Sequence, residues 1–411
     1  MQQVCGYQRW AFAAAAWLLA GFALAQAPAE EDASGTSAGP GAIPLGPLVA
    51  YPGVEAKYGH NDNLYSSKIN TGSSTTTILS PYVSLEAKTG GHTFTGLFRY
   101  DHGEFKNSHA DDYNDYLLEG RADLVFSGRA GLGLHAARQY SHDPRGSTDR
   151  VGGPTPDEWV NQGVDGVFRY GAPGAQGRIE VNSGYFIREY QNNRATTVNS
   201  DRNTTTLGGT FFWRVAPKTE LLANAEHRKV DYDNISTTTQ TSQSSTEDRL
   251  YAGAKWEATA LTSGTVKFGQ LKKNFVDPSR SSFSGSSWDA AVAWKPRTYS
   301  TVDLATSRQT NESTGLGDTI VTNIYGVTWT HAWNSRFRSQ LLANKRHDNF
   351  FGGQPPATRI DDTKTYGLSL TYQFRRWVRF GAEYTRTERE SNNSTFDYQR
   401  NLLLFSVNAT L

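Results

Sequence analysis

The chain has 411 residues, 41 of them Lys or Arg and 40 Asp or Glu, with a mean hydropathy of −0.58. Charge this close to balance excludes the strongly basic surface that nucleic acid requires. Beyond the N-terminus no stretch supplies the roughly 18 consecutive apolar residues of a membrane helix, yet a membrane barrel remains open, because only alternate residues of its strands face lipid.

Residues 1–25 read as a secretory signal peptide. Arg9 supplies the positive n-region, Trp10 through Phe22 the apolar stretch, and Ala23-Leu24-Ala25 the cleavage motif, so the mature chain is expected to begin at Gln26. Ala25-Gln26-Ala27 also matches, but Pro28 follows it and disfavours cleavage there. The single cysteine, Cys5, lies in the n-region and not after the apolar run, which argues against a lipid anchor. The mature chain could then form no disulfide. Residues 26–46 are rich in Ala, Gly, Pro and Ser and carry Glu30, Glu31 and Asp32; they read as a flexible periplasmic lead-in.

From residue 47 to 411 strand-like runs alternate with two kinds of connection. Aromatic residues precede one kind at a spacing of roughly 40 residues: Phe126, Tyr170, Trp213, Trp256, Trp294, Trp333 and Phe374. Short polar turns follow them, such as Ser127-Gly128-Arg129, Ala216-Pro217-Lys218, Ala260-Leu261-Thr262 and Lys295-Pro296-Arg297. Amphipathic rings gathered at one end of every second strand suit the boundary between hydrocarbon and water. The other connections are longer and rich in Ser, Thr, Asn, Asp and Gly, near 61–71, 104–112, 142–156, 191–200, 233–245, 276–284, 311–318, 348–360 and 389–395. Nine such loops imply about 18 strands in an all-β, antiparallel, up-and-down transmembrane barrel, with short turns periplasmic and long loops outside.

Period-two alternation supports the strands. Val378, Phe380, Ala382 and Tyr384 share one face while Arg379, Gly381, Glu383 and Thr385 share the other. Tyr366, Leu368, Leu370, Tyr372 and Phe374 alternate with small or polar neighbours, and Leu403, Phe405, Val407, Ala409 and Leu411 form a final apolar row. Pro52 and Pro81 fall inside strands and predict a bulge or weakened pairing, since each lacks a ladder donor. A β-propeller also repeats at this period but needs four short strands per repeat, where this chain offers two long ones.

Turning the apolar face to lipid leaves a polar face for the lumen. It is expected to carry Arg99, Asp101, Glu119, Arg121, Asp123, Asp165, Arg169, Glu180, Arg188, Arg214, Glu226, Arg228, Lys255, Lys267, Asp289, Asp303, Arg338, Arg379 and Glu383. A barrel of this size encloses water unless something fills it. These side chains could attract solutes, or simply pair with one another and keep the interior solvated. His60-Asn61-Asp62-Asn63 and Asp111-Asp112-Tyr113-Asn114-Asp115 resemble oxygen-rich cation loops, but they lack the spacing of a calcium motif and turn chemistry explains them as well. His135 and His331 stand apart in sequence, and no nucleophile elbow is visible. The reading is therefore of no metal, no cofactor and no enzyme.

The segment Tyr51-Pro52-Gly53-Val54-Glu55 through Asn61-Asp62-Asn63-Leu64-Tyr65 resembles the opening strand of the β-barrel porin 2 family. Leu79-Ser80-Pro81, Asp112-Tyr113-Asn114-Asp115 and Asp143-Pro144-Arg145-Gly146 match its later motifs. The matches cover about the first third of the mature chain and mark fold segments more than a chemical site. The resemblance implies an outer-membrane location and association with exopolysaccharide operons. It therefore implies a passive exit for polysaccharide, gated by a separate periplasmic polysaccharide-export protein docking near residues 26–46 and the short turns. Alternatives are a general or substrate-selective porin, which an inward-folded loop (142–156, 233–245 or 348–360) would favour, a surface structural or adhesion barrel, and a membrane hydrolase.

Overall fold

Strand alternation turns a polar sequence into a wall with two unlike faces. The computed structural model describes residues 41–235, 240–257, 261–313, 317–352 and 359–410. The expected signal peptide and most of the expected lead-in lie outside the described residues. The described part opens with a short arm, β1 (Ile43–Leu45), so the end of the expected lead-in pairs with the first wall strand.

Eighteen strands build the wall. The first six are β2 (Leu48–Asn61), β3 (Ser74–Thr89), β4 (His92–Phe105), β5 (Tyr113–Val125), β6 (Ala130–Asp143) and β7 (Asp157–Tyr170). The next six are β8 (Gly177–Tyr190), β9 (Arg202–Ala216), β10 (Thr219–Tyr232), β11 (Ser245–Trp256), β12 (Thr262–Phe275) and β13 (Phe283–Arg297). The last six are β14 (Ser300–Glu312), β15 (Thr319–Ala332), β16 (Phe337–Phe351), β17 (Ile360–Arg375), β18 (Val378–Ser391) and β19 (Tyr398–Thr410). Each pairs antiparallel with its neighbours in sequence. The ring closes where β19 meets β2, from Leu402 opposite Asn61 to Thr410 opposite Gly53. Closure leaves no free sheet edge, which is what permits strands to cross a bilayer.

Turn chemistry sets the short-turn end. Gly90 and Gly91 both hold positive φ, +56° and +84°, joining β3 to β4 through a tight two-residue hairpin turn that other residues adopt poorly. Register shifts at Thr219/Glu220, Trp294/Arg297 and Gln373/Arg375 place irregularities beside three of these turns. Pro81 interrupts the β3–β4 ladder, in which Ser80 and Pro81 have no partner on β4. Pro52 keeps Val83 opposite on β3, while the β19 ladder ends at its neighbour Gly53. No bulge is needed there, because the missing donor falls where pairing stops.

The outward face is apolar and bare. Tyr58, Leu250 and Phe268 are 61%, 63% and 60% exposed, and Leu118, Leu207 and Phe405 all exceed half. In water such surface would be unfavourable by roughly 25 cal/mol per Å²; against hydrocarbon it is the favoured face. Of the belt residues, Phe126, Tyr170, Trp213, Trp294, Trp333 and Phe374 are exposed at or beside the short-turn ends of their strands, joined there by Tyr299 and Trp377. Trp256 is less exposed, its ring lying where any side chain at position 264 would stand, beside Gly264.

Candidate functional site

Cross-strand pairing carries the inward face around the ring. Arg99 stands opposite Leu117, Arg121 opposite His135, His135 opposite Asp165, Arg169 opposite Glu180, and Arg214 opposite Glu220. By the same register Asp101, Glu119, Asp123, Arg188, Glu226, Arg228, Lys255, Lys267, Asp289, Asp303, Arg338, Arg379 and Glu383 fall on the row opposite the bare apolar one.

Many of these charges are already engaged. Residues i and i+2 of a strand share a face about 7 Å apart, within reach of an arginine. Arg99 accordingly bonds Asp101 at 2.8 Å, Arg121 bonds Glu119, and Arg249 bonds Glu247 at 2.6 Å, while Arg99 also reaches Glu55 of β2 at 3.0 Å. Cross-strand pairs join Lys267 to Asp289 at 3.4 Å, Arg169 to Asp123 at 3.8 Å and Arg249 to Glu226 at 3.5 Å. His135 lies between two carboxylates, 2.8 Å from Asp165 and 3.9 Å from Glu119, an ion-pair setting in which no hydroxyl is bonded to the imidazole among the described residues. His331 packs among Tyr299, Trp329 and Trp333 at the short-turn end.

The oxygen-rich loops are anchors. Asp62 accepts from the backbone N–H and the side-chain amide of Asn401, each at 2.6 Å. Asn63, 1% exposed, donates to the carbonyls of Gln399 and Ser67 and accepts from the Ser67 N–H. Together they lock the seam between β2 and β19. Asp111 is taken by Arg145, Asp112 by the Phe105 N–H, and Asp115 by Ser141 and His142. At the last loop Asp397 meets burial, which raises its pKa, but the Ser391 N–H and Lys68 outweigh this and hold it below the usual carboxylate range.

The motifs at 62–65, 111–115 and 143–146 therefore converge at the long-loop end. Arg145 lies 3.8 Å over the Tyr65 ring while bonding Asp111. Gly146, at φ +67°, leaves room that a Cβ would fill, 2.5 Å from the Tyr65 carbonyl. Arg389 of β18 donates to the carbonyls of Gly146 and Thr148, and Arg359 donates to that of Asp149 at 2.6 Å. The loop 144–156 thus reaches from β6 and β7 across the mouth to β17 and β18.

A second element meets it from inside. Strands β13 and β14 pair no further up than Trp288 opposite Arg308, whereas β14 and β15 stay paired to Glu312 opposite Thr319. The tip of the β14–β15 hairpin leaves the wall and leans inward. Glu312 accepts from Lys273 of β12 at 2.8 Å and from the Tyr232 hydroxyl of β10 at 3.2 Å, and Arg228 lies 3.6 Å away. Four strand spacings separate β14 from β10, about 19 Å along the wall, so this contact requires the tip to lean off the wall into the lumen. Thr310 donates to Glu247 of β11. Thr319 through Thr322 are buried consecutively, unlike the alternation of a strand with lipid on one side. Ser313 of this tip donates to Asp149 of the loop 144–156 at 3.0 Å.

Sequence reading named 142–156 as able to narrow the pore but not the tip at 311–318. No residue there announces a lean, which follows from pairing that stops on one edge. Arg145 was read only as part of a family motif, and Arg150, Glu247, Arg249, Lys273 and Glu312 went unnamed; the i, i+2 pair Glu247/Arg249 was a usable signal. Loop 233–245 takes part through Thr241, which accepts from Arg280, and 353–358 lies outside the described residues.

A closed antiparallel wall, apolar outside and charged within, with a loop and a hairpin tip folded into its mouth, defines an outer-membrane β-barrel porin. The chain belongs to the family described as "Putative beta-barrel porin 2", whose model matches residues 37–411. No curated protein matches it. Among solved structures it is similar to the outer membrane protein OpdK of Pseudomonas aeruginosa, at 10% identity and TM-score 0.51, covering 88% of this chain and 99% of that one. A BenF-like porin from Pseudomonas fluorescens Pf-5 gives 9% identity and TM-score 0.51, with 89% and 99% covered. OccK2 (OpdF) of Pseudomonas aeruginosa, solved with glucuronate, gives 11% and 0.50, with 88% and 98% covered. At these identities the likeness concerns the fold.

Proposed function

We propose that this porin is a substrate-selective diffusion channel for small polar solutes. The observation that carries the reading is the Ser313–Asp149 contact, where hairpin tip and loop meet within the mouth of an 18-stranded ring. A barrel of this size is wide enough for an aqueous channel, and two inward elements reduce it to passages lined by charged side chains. Narrowing of that kind discriminates among small molecules and obstructs a chain of linked sugars. That OccK2 was solved with glucuronate is in keeping with a small-solute channel on this fold.

Polysaccharide exit, implied by the family resemblance, is the second reading. It is favoured by the construction of the closure from loops and a hairpin tip, not wall strands, so a periplasmic export partner could open it without breaking the ring. Reconstitution separates the two. The purified barrel in liposomes should admit monosaccharides and amino acids without any partner under the first reading. A barrel sealed to all of them, together with loss of surface polymer on gene deletion, would reject that reading in favour of the second.

A further inference from the structure

We infer that Phe186 and the unengaged polar side chains around it form a sugar-binding platform on the lumen wall, and that the solutes it takes are neutral pyranoses; the inference rests on the small-solute channel reading. Phe186 lies on β8, where the alternation that turns Tyr185 outward, 44% exposed, turns Phe186 inward. Gly163 of β7 stands directly opposite it on one side and Thr204 of β9 on the other.

Two glycines set the attitude of the ring. A Cβ at Gly163 would stand 2.4 Å from Phe186 Cδ1, and a Cβ at Gly184 would stand 2.8 Å from Cε2. The ring therefore rests against both backbones, a close approach that only glycine allows. Two other inward rings are covered, Phe212 by Arg178 at 3.9 Å and Trp159 by Arg188 at 4.2 Å. Phe186 is half-buried and has no cation or second ring over it among the described residues.

Polar groups border the ring in register. Asp165, Gly184 and Thr206 form the next inward row toward the short turns, and Asn182, opposite Gly208, belongs to the row after it. Asn161 lies one row away on the long-loop side. The Thr206 hydroxyl oxygen is 2.9 Å from where a Gly184 Cβ would be, so hydroxyl and ring edge meet over the same glycine. The side chains of Asn161, Asn182, Thr204 and Thr206 make no hydrogen bond among the described residues, and their polar atoms are open to the lumen. Asp165 binds His135 through Oδ1 at 2.8 Å and keeps Oδ2 for another donor.

A pyranose suits this combination. One face of the sugar ring presents C–H groups that pack on an aromatic face, while its rim carries hydroxyls that both donate and accept. Amides, hydroxyls and a carboxylate oxygen supply both roles. The neighbouring cations are engaged, Arg188 by Asp143 and Arg249 by Glu226 and Glu247, so the platform favours a neutral sugar over an acid. Phe186 is one inward position nearer the short turns than Arg188, whose partner Asp143 ends β6 where the loop 144–156 begins. A solute that has passed the two inward elements meets the platform next.

The test uses the full mature chain in planar bilayers, with glucose, its open-chain relative sorbitol, and glucuronate as added solutes. Glucose should interrupt the ion current at concentrations where sorbitol, which has hydroxyls but no ring, does not. Loss of the aromatic face predicts about tenfold weaker interruption in Phe186→Ala, while Phe186→Tyr, which keeps the face, should stay within about twofold of the parent. Asn182→Ala leaves the ring in place and should weaken interruption by about threefold. Strand content by circular dichroism verifies folding of each variant. Equal effects of glucose and sorbitol, or folded Phe186→Ala or Asn182→Ala channels unchanged from the parent, would overturn the inference while leaving a conducting channel. Glucuronate acting more strongly than glucose would overturn the neutral-sugar assignment. A folded barrel that conducts no small ion would overturn the channel reading along with it.

Discussion

Ser313 and Asp149, 164 residues apart in sequence, share a 3.0 Å hydrogen bond at the long-loop end of the barrel. One belongs to a hairpin tip that has left the wall, the other to a loop arriving from the opposite side. Their contact joins two inward elements across the mouth of a wide ring.

With Asp149→Cys and Ser313→Cys joined by a short bifunctional thiol reagent, small-solute flux through reconstituted barrels should stay within about twofold of the unlinked protein. Polymer release by cells carrying the linked variant should also be unaffected under the selective-channel reading. Abolished polymer release with intact small-solute flux would instead show that the contact must part for export.

The hairpin tip is held by buried charges. Lys273 is fully buried and bonds Glu312 at 2.8 Å. Lys273→Met leaves Glu312 with one fewer cation and should destabilise the folded barrel by about 3–5 kcal/mol. Adding Glu312→Gln should recover most of the loss, because the stranded charge is then removed. Urea unfolding of both variants checks this, and the single variant should also show noisier conductance as the tip loosens.

At the seam, Asn63 ties the first long loop to the last strand through the carbonyl of Gln399. Asn63→Ala should lower stability by about 1–3 kcal/mol, since buried partners lose their hydrogen bonds. Ile69 in the same loop is 80% exposed, and Ile69→Ala should change stability by less than about 0.5 kcal/mol. Equal effects would show that the seam does not depend on Asn63.

Phe268 faces outward from β12 and is 60% exposed. Phe268→Arg should destabilise the barrel in lipid by about 2–4 kcal/mol. A face meeting water would tolerate or gain from the same change, so refolding equilibria in vesicles read the sign directly.

Much of the architecture was legible in the chain. Alternation such as Val378, Phe380 and Tyr384 against Arg379, Gly381 and Glu383 records which face meets lipid, because a strand has a period of two and a bilayer tolerates one kind of side chain. Nine loops and the aromatic residues before short turns gave the strand number, and Pro81 announced its gap in the β3–β4 ladder. The pairing of Arg99 with Glu55, 44 residues away on the next strand but one, was less legible, since such contacts depend on the register of two successive ladders.

Sequence determined the local quantities of this protein: strand period, turn type, the apolar face and hence the membrane. Tertiary structure decided where the channel narrows. Thr310, Glu312 and Ser313 are ordinary strand and loop residues; they become a constriction because β14 separates from β13 above Trp288 and its inward tip finds Lys273, Tyr232 and Asp149. The physical reason is that alternation specifies a face and says nothing of curvature. How far a hairpin leans is set by long-range ion pairs and hydrogen bonds, which no single segment of the chain contains.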